Sequence, residues 1–181
     1  VLDPTLLLDS VRWSELAEAK HNKYKGKSYI LVYMLSYALD PSPVIYDLIE
    51  KLQNETHLPI ISIGKLDNHR VGHYKKIDDA GVFTFLQLFL NASYVVTSSF
   101  HGTAFAVNFG KPLYSIVPDS GDDRQSTLLK NLGIPQCIVP VTANVHEIGK
   151  PVYNPRQVEE KLNSLRGVSI KYLQNSLASC R

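Results

Sequence analysis

The sequence predicts a three-layer α/β/α Rossmann-like domain built on a parallel sheet. Residues 29–34, 58–63 and 113–117 are almost wholly apolar and have the length of strands, which is the pattern of strands buried on both faces of a sheet. Apolar residues between these runs recur at helical spacing, as they do in 44–52. Strands that alternate with helices form a parallel sheet with right-handed crossovers and helices on both faces.

The chain is predicted to open with an entry segment at 1–27, which precedes the Rossmann-like domain at 28–181. Ser10 or Ser14 is in position to cap a short helix in this segment. A length of 181 residues is enough for one well-formed core and too short for two large domains.

A helix is predicted between the first two strands. Its apolar residues begin at Val44, with Ser42 as the N-cap and Pro43 at the first helical position. The second strand, at 58–63, has its only proline near the start, where a missing N–H group is tolerated.

Residues 64–81 are predicted to form a long polar connection. Loops of this length without secondary structure are uncommon and often functional, and a solvated surface loop is the alternative. His69 and His73 have the spacing of metal ligands on a helix, but no third ligand accompanies them, so no metal site is predicted.

The second half of the chain continues the alternation of helices and strands. The predicted elements are a helix at 83–90, a strand at 94–97, a helix at 101–109, a strand at 113–117, a helix capped by Asp122 or Asp123 and closed by Gly133, a strand at 136–139, and a terminal helix from Asn154. Gly167 is expected to interrupt that last helix. The sheet is therefore predicted to have about five strands.

The turn between the third predicted strand and the next helix contains the candidate site. Ligands of open parallel sheets bind at the carboxyl ends of the strands, where this turn lies. The helix that follows presents free N–H groups and the positive end of its dipole, which favour an anion. The turn therefore predicts a phosphate site, whose candidate binding residues are Ser98, Ser99, Phe100, Gly102 and Thr103, with His101 among them.

A structural interpretation of the same turn stays open on spacing alone. In it, Ser98 or Ser99 only caps the helix, Gly102 only permits close packing, and His101 is a hydrogen-bonded structural histidine.

The motifs around this turn have a distinctive order. An Asn-Ala pair precedes a Val-Val-Thr strand at 95–97, a Ser-Phe-His-Gly turn follows at 99–102, and the next helix ends in Gly-Lys-Pro at 110–112. This order resembles the C-terminal part of the polysaccharide pyruvyl transferase family, and the opening Asp-Pro-Thr at 3–5 fits the same pattern. Many members place Arg where this chain has Ser99, which implies another cation or a different donor here.

The resemblance implies a reaction and a set of roles. Family members transfer a pyruvyl group from phosphoenolpyruvate to two hydroxyls of a sugar, giving a cyclic ketal in bacterial exopolysaccharide or capsule biosynthesis. His101 is then the catalytic proton-transfer residue, because imidazole titrates near neutral pH. Arg124 is the expected partner of phosphate or carboxylate, with Lys65 and Arg70 as weaker candidates. No carboxylate that could orient His101 is evident in the sequence.

The resemblance also implies a larger assembly. The chain corresponds to the C-terminal half of a two-domain enzyme similar to the GT-B glycosyltransferases, with a sugar or lipid-linked oligosaccharide as acceptor and no cofactor besides the donor. An isolated half is expected to bind the donor without turnover, and to self-associate through the face that the other domain would cover.

Two other functions remain open. A nucleotide-sugar glycosyltransferase would use the same helix terminus, with an acidic residue such as Asp119, Asp122 or Asp123 placed for a ribose. A non-catalytic domain of the same fold is the other, and the absence of Arg before Phe-His-Gly favours it.

Composition excludes several classes of protein. A net charge of +2, with lysines and arginines scattered along the sequence, argues against nucleic acid binding. The longest apolar runs are far shorter than a membrane span. Cys137 and Cys180 lack metal-site spacing and are expected to be free thiols, which predicts a reducing, cytoplasmic setting.

Overall fold

A sheet of six parallel strands forms the centre of the fold in a computed structural model, which describes residues 1–35 and 39–179. The strands are Ile30–Tyr33 (β1), Ile60–Ile63 (β2), Tyr74–Ile77 (β3), Tyr94–Thr97 (β4), Leu113–Val117 (β5) and Ile138–Pro140 (β6). Their order across the sheet is β3-β2-β1-β4-β5-β6. The predicted α/β fold class is confirmed. The strands predicted at 29–34, 58–63, 94–97 and 113–117 are β1, β2, β4 and β5, which lie in the interior of the sheet.

The helices occupy both faces of the sheet. They are Pro4–Leu7 (α1), Ser10–Glu18 (α2), Val44–Thr56 (α3), Val82–Asn91 (α4), Phe100–Asn108 (α5), Arg124–Leu132 (α6) and Pro155–Ala178 (α7), with a short 3₁₀ turn at Pro135–Cys137. On one face, Leu31 and Val95 pack into the apolar layer formed with α4, α5, α6 and α7. On the other face, Ile30 and Val96 pack against α3. None of the described helices is long and apolar enough to cross a membrane.

The segment predicted to be a continuous polar loop contains a strand, so that prediction was wrong in part. Tyr74–Ile77 pairs in parallel with β2 alone, in a register that places Tyr74 beside Ile60 and Ile77 beside Ile63. Because β3 lies at the edge of the sheet, its two central lysines stay exposed and the strand lacks the continuous apolar run of a central strand.

Two helix caps and one expected helix interruption also differ from the sequence prediction. Asp9, rather than Ser10 or Ser14, caps α2, because its carboxylate accepts a hydrogen bond from the Arg12 N–H at 2.9 Å. Pro43 occupies the cap position of α3, where Ser42 was expected. Helix α7 runs through Gly167 without interruption, since the penalty of about 1 kcal/mol for a helical glycine is small beside the packing of its neighbours.

Hydrogen bonds fasten the opening segment to α5 and α7. The buried Arg166 side chain donates to the Leu6 carbonyl at 2.8 Å and to the Asn108 carboxamide oxygen at 2.9 Å. The Asn108 amide group donates in turn to the Leu8 carbonyl at 2.9 Å, and the Leu2 N–H donates to the Ser169 hydroxyl at 2.9 Å. These bonds hold α1 beside α5 and α7.

One of the two cysteines, Cys137, lies within the described residues. Cys137 is a free, fully buried thiol whose pKa burial raises to about 12. Cys180 lies outside the described residues.

Candidate active site

The Ser98–Ser99 pair shapes the turn between β4 and α5. Ser98 accepts a hydrogen bond from the Leu35 N–H at 2.9 Å and donates to the Leu35 carbonyl at 3.0 Å, so its hydroxyl joins the ends of β4 and β1. Ser99 is the N-cap of α5, and its hydroxyl accepts from the Gly102 N–H at 3.4 Å. Both serines are buried. Their hydroxyls are therefore engaged in holding the turn.

Close packing requires glycine at position 102. A Cβ atom there would lie 3.0 Å from Thr97 Cβ and 3.1 Å from Thr97 Cγ2, and closer still to the Thr97 hydroxyl. That hydroxyl cannot move away freely, because it donates to the Tyr33 carbonyl at 2.7 Å and accepts from the Ser99 N–H at 3.0 Å. The glycine lets α5 begin directly against the end of β4.

Thr103 faces the interior. Its hydroxyl donates to the Ser99 carbonyl at 3.1 Å and lies 2.7 Å from the Ser115 hydroxyl, while the Gln125 amide group donates to it at 3.3 Å. This buried network joins the first turns of α5 and α6 through β5, and so fixes the position of Arg124 relative to the turn.

The structure brings His101, Phe100 and Arg124 together on the surface above this network. The His101 side chain is 54% exposed, and its ring packs edge-on against Phe100 with the centroids 5.7 Å apart. The Arg124 guanidinium lies over the Phe100 ring, 3.9 Å from its centroid. A cationic group stacked on an aromatic face is held in place while its other face stays open to a ligand.

A carboxylate bridges the two basic side chains, so the expectation that none lies near His101 was wrong. Arg124 donates to Asp3 Oδ2 at 2.8 Å, and His101 Nε2 lies 3.9 Å from Asp3 Oδ1. Asp3 also caps α1, where Oδ1 accepts from the Thr5 N–H at 3.1 Å and from the Thr5 hydroxyl at 2.7 Å. We refer to Asp3, Phe100, His101 and Arg124 as the surface cluster.

The Asp3 carboxylate is ionised at neutral pH. Burial raises its pKa, but the hydrogen bonds from Thr5 and Arg124 and the charge of His101 outweigh that effect and hold the pKa below the ordinary value of 3.8. The side chain is only 12% exposed, whereas Arg124 is 67% exposed. A fixed anion thus faces two more accessible basic groups.

The capping role of Asp3 was recognisable in the sequence, whereas its place beside His101 was not. Asp followed by Pro is a common start of a helix. Its contact with the turn depends on how α1 packs against α5 and α7, which local sequence does not determine.

The two weaker cation candidates lie elsewhere. Arg70 forms an ion pair with Asp47 of α3 and lies over the Tyr46 ring, 5.7 Å from its centroid. Lys65 lines a cavity of about 410 Å³ in the loop after β2. Neither residue contacts the surface cluster among the described residues. No group of three potential metal ligands lies together within 1–35 and 39–179.

A cavity of about 280 Å³ adjoins the surface cluster between α1 and α6, and Asp122 lines it together with Asp3, Phe100 and Arg124. The other two acidic candidates for a ribose have structural roles. Asp123 caps α6 through bonds to two backbone N–H groups at 2.8 and 2.9 Å, and Asp119 accepts from the Thr142 hydroxyl at 2.8 Å.

This arrangement can bind a small dianion. The N–H groups in the first turn of α5, at Phe100 and His101, have no acceptor within the helix. Together with the open guanidinium of Arg124, they present donors at a positive helix end. His101 can exchange a proton with a molecule bound there, because its ring is largely exposed.

The polysaccharide pyruvyl transferase family model matches residues 1–120 of the chain. The match includes Asp3 and the whole turn, and it ends before Arg124. No curated protein sequence matches the chain significantly.

Proposed function

The chain belongs to the polysaccharide pyruvyl transferase family, and we propose that its surface cluster binds phosphoenolpyruvate and catalyses transfer of the pyruvyl group to two hydroxyls of a sugar. The observation that carries the proposal is the placement of His101 at the N-terminus of α5, beside Arg124 and the Asp3 carboxylate. A helix end and an arginine suit the two anionic groups of this donor, and the imidazole suits a reaction that begins with a proton transfer.

In the proposed complex, the N-terminus of α5 and the Arg124 guanidinium each bind one anionic group of the donor. Phosphoenolpyruvate carries a phosphate and a carboxylate on the same carbon, so it needs two neighbouring sets of donors. The N–H groups of Phe100 and His101 supply one set, and Arg124 supplies a fork that binds an anion through two parallel hydrogen bonds. Arg124 thereby takes the place of the arginine that many family members have where this chain has Ser99.

The proposed reaction proceeds by proton donation and two additions. His101 donates a proton to the methylene carbon, and a sugar hydroxyl adds to the neighbouring carbon. The phosphate leaves as inorganic phosphate, and the second hydroxyl adds to the same carbon to close the ketal. One hydroxyl proton restores the imidazolium and the other leaves with the phosphate, so the enzyme returns to its starting state without a cofactor.

Asp3 has two roles in this scheme. Its charge, 3.9 Å from His101 Nε2, compensates the positive imidazolium electrostatically. Its bond to Arg124 keeps the guanidinium beside the turn until the donor arrives. The donor then competes with Asp3 for Arg124, so the carboxylate weakens donor binding.

The surface cluster is open on its outer side, and we propose that a second domain covers it in the GT-B-like enzyme that the family resemblance implies. The acceptor, a sugar or lipid-linked oligosaccharide of a bacterial surface polysaccharide made in the cytoplasm, would enter from that side. The 181 residues alone are then expected to bind the donor without forming ketal, and to self-associate through the uncovered face.

Titration of the chain with phosphoenolpyruvate and, separately, with a nucleoside diphosphate tests the site by following the backbone amide resonances of 98–103. We expect phosphoenolpyruvate to shift these amides and that of Arg124. A nucleoside diphosphate that binds more tightly, with shifts near Asp122, would favour the glycosyltransferase alternative.

The same titration of the Asp3→Asn variant tests whether Asp3 competes with the donor for Arg124. Asparagine keeps the shape and the bond to Thr5 but removes the charge. Phosphoenolpyruvate is therefore expected to bind about two- to fivefold more tightly, the range for loss of an ion pair whose cation is exposed. In the active enzyme the same variant should lower both KM and kcat. Weaker donor binding in the variant would show that Asp3 does not compete for Arg124.

A further inference from the structure

Four lysines gather on one side of the molecule, away from the surface cluster. The ammonium groups of Lys23, Lys27 and Lys75 lie 5.4, 5.9 and 5.8 Å from the centroid of the Tyr24 ring. The ammonium group of Lys20 lies 4.8 Å from the centroid of the Phe83 ring. We refer to these four residues as the lysine surface.

Charge is not balanced at this surface. The neighbouring Lys25 pairs with Glu18 at 2.9 Å, and Lys76 pairs with Asp78 at 2.7 Å. None of the four lysines of the lysine surface forms such a pair within the described residues. The four ammonium groups therefore have no directly paired carboxylate among the described residues, unlike Lys25 and Lys76 beside them. Three of the four lysines lie within residues 20–27, and the fold brings the distant Lys75 to the same buried ring.

Protection of the sheet edge explains only part of this pattern. Lysines on an edge strand prevent pairing with another chain, and Lys75 lies on β3 at the sheet edge. The other three lysines lie in the segment between α2 and β1, which forms no part of that edge. Bringing like charges together is unfavourable, and an anionic partner would offset it.

The chemistry of the lysine surface favours a partner whose negative charge is spread over an extended surface. The Tyr24 side chain is fully buried, so its ring is closed to stacking with a sugar or a base. The charges are lysine ammonium groups on flexible stems, which act as point charges and lack the planar fork of arginine. A cavity of about 420 Å³ lies beside these lysines. Tyr29, Pro59 and Tyr74 line it, so aromatic and apolar side chains adjoin the charged groups.

We propose that the lysine surface docks the protein on a membrane that contains anionic phospholipids. Lysines near such a surface each contribute about a fivefold gain in partitioning. Tyr24 packs against Tyr29 at the start of β1, whereas the His101 turn follows the carboxyl end of β4. Docking through the lysine surface therefore leaves the surface cluster open. Vesicle binding by the lysine surface is independent of the proposed reaction.

The test compares two triple variants in vesicle sedimentation. One variant replaces Lys23, Lys27 and Lys75 with glutamine. The control replaces the exposed Lys130, Lys150 and Lys171 with glutamine. Both variants lower the formal net charge of the chain from +2 to −1. We expect the original chain to bind vesicles of phosphatidylglycerol and phosphatidylcholine and to ignore phosphatidylcholine alone. The first variant should lose about 100-fold in partitioning, and the control should lose far less.

Salt dependence and a soluble polyanion complete the test. Binding should weaken steeply between about 0.1 and 1 M salt, where the Debye length falls from about 10 to about 3 Å. Equal loss in the two variants would show that net charge alone drives binding, and would overturn the proposal. Binding to heparin without binding to anionic vesicles would overturn it as well. Circular dichroism checks that each variant is folded.

Discussion

Replacement of His101 with alanine is expected to abolish pyruvyl transfer from phosphoenolpyruvate while the protein stays folded. Loss of a positioned proton donor lowers a rate by about 10²- to 10⁴-fold. The His101 side chain is 54% exposed and contributes little to packing, so the thermal midpoint should stay within a few degrees of the original value. The measurements are kcat with phosphoenolpyruvate in the active enzyme and thermal unfolding of the same preparation.

A matched control is available in His146, which is also exposed and lies in the loop after β6. Its replacement with alanine should change neither quantity. A His101→Ala enzyme that keeps nearly its original rate would rule out the proton-transfer role. A large drop in thermal midpoint would instead support the structural interpretation of this histidine.

Replacement of Arg124 with glutamine is expected to weaken the binding of phosphoenolpyruvate by about 10- to 100-fold, since a hydrogen bond to a charged group contributes roughly 1.5–3 kcal/mol. Glutamine retains part of the stem that covers Phe100 but loses the charge and the fork. The effect should appear mainly in KM or in the dissociation constant of the donor. Stability should change little, because the Arg124 side chain is 67% exposed.

The control for this prediction is Arg12→Gln, which removes another exposed arginine that pairs with a carboxylate, Glu15, at 3.0 Å. It should leave donor affinity unchanged apart from a small effect of net charge. An Arg124→Gln protein with unchanged donor affinity would mean that the helix end alone binds the donor.

Features fixed by local sequence were predicted well. The central strands are apolar on both faces, and Asp123 and Gly133 mark the two ends of α6 by their capping chemistry. The turn at 98–103 was predictable because the pattern of a strand is followed there directly by the pattern of a helix. The edge strand β3 has no comparable signal, because it pairs on one side only and keeps Lys75 and Lys76 in solvent.

Features that depend on packing between distant segments were not predictable. Asp3 reaches His101 only because Arg166 and Asn108 hold the opening segment against α5. The lysine surface likewise includes Lys75 only because the segment after α2 folds beside β3. Both features consist of charged residues without periodicity, and so periodicity, the main signal of secondary structure, did not reveal them.

The most direct test of the proposed reaction is an assay of the full-length protein with phosphoenolpyruvate labelled with ¹³C in its pyruvyl carbons and a panel of sugar acceptors. The proposal predicts a new quaternary ketal carbon on the acceptor, formed in equal amount to inorganic phosphate and dependent on His101. Release of phosphate with free pyruvate and no ketal, or transfer of a sugar from a nucleotide-sugar donor in its place, would contradict it.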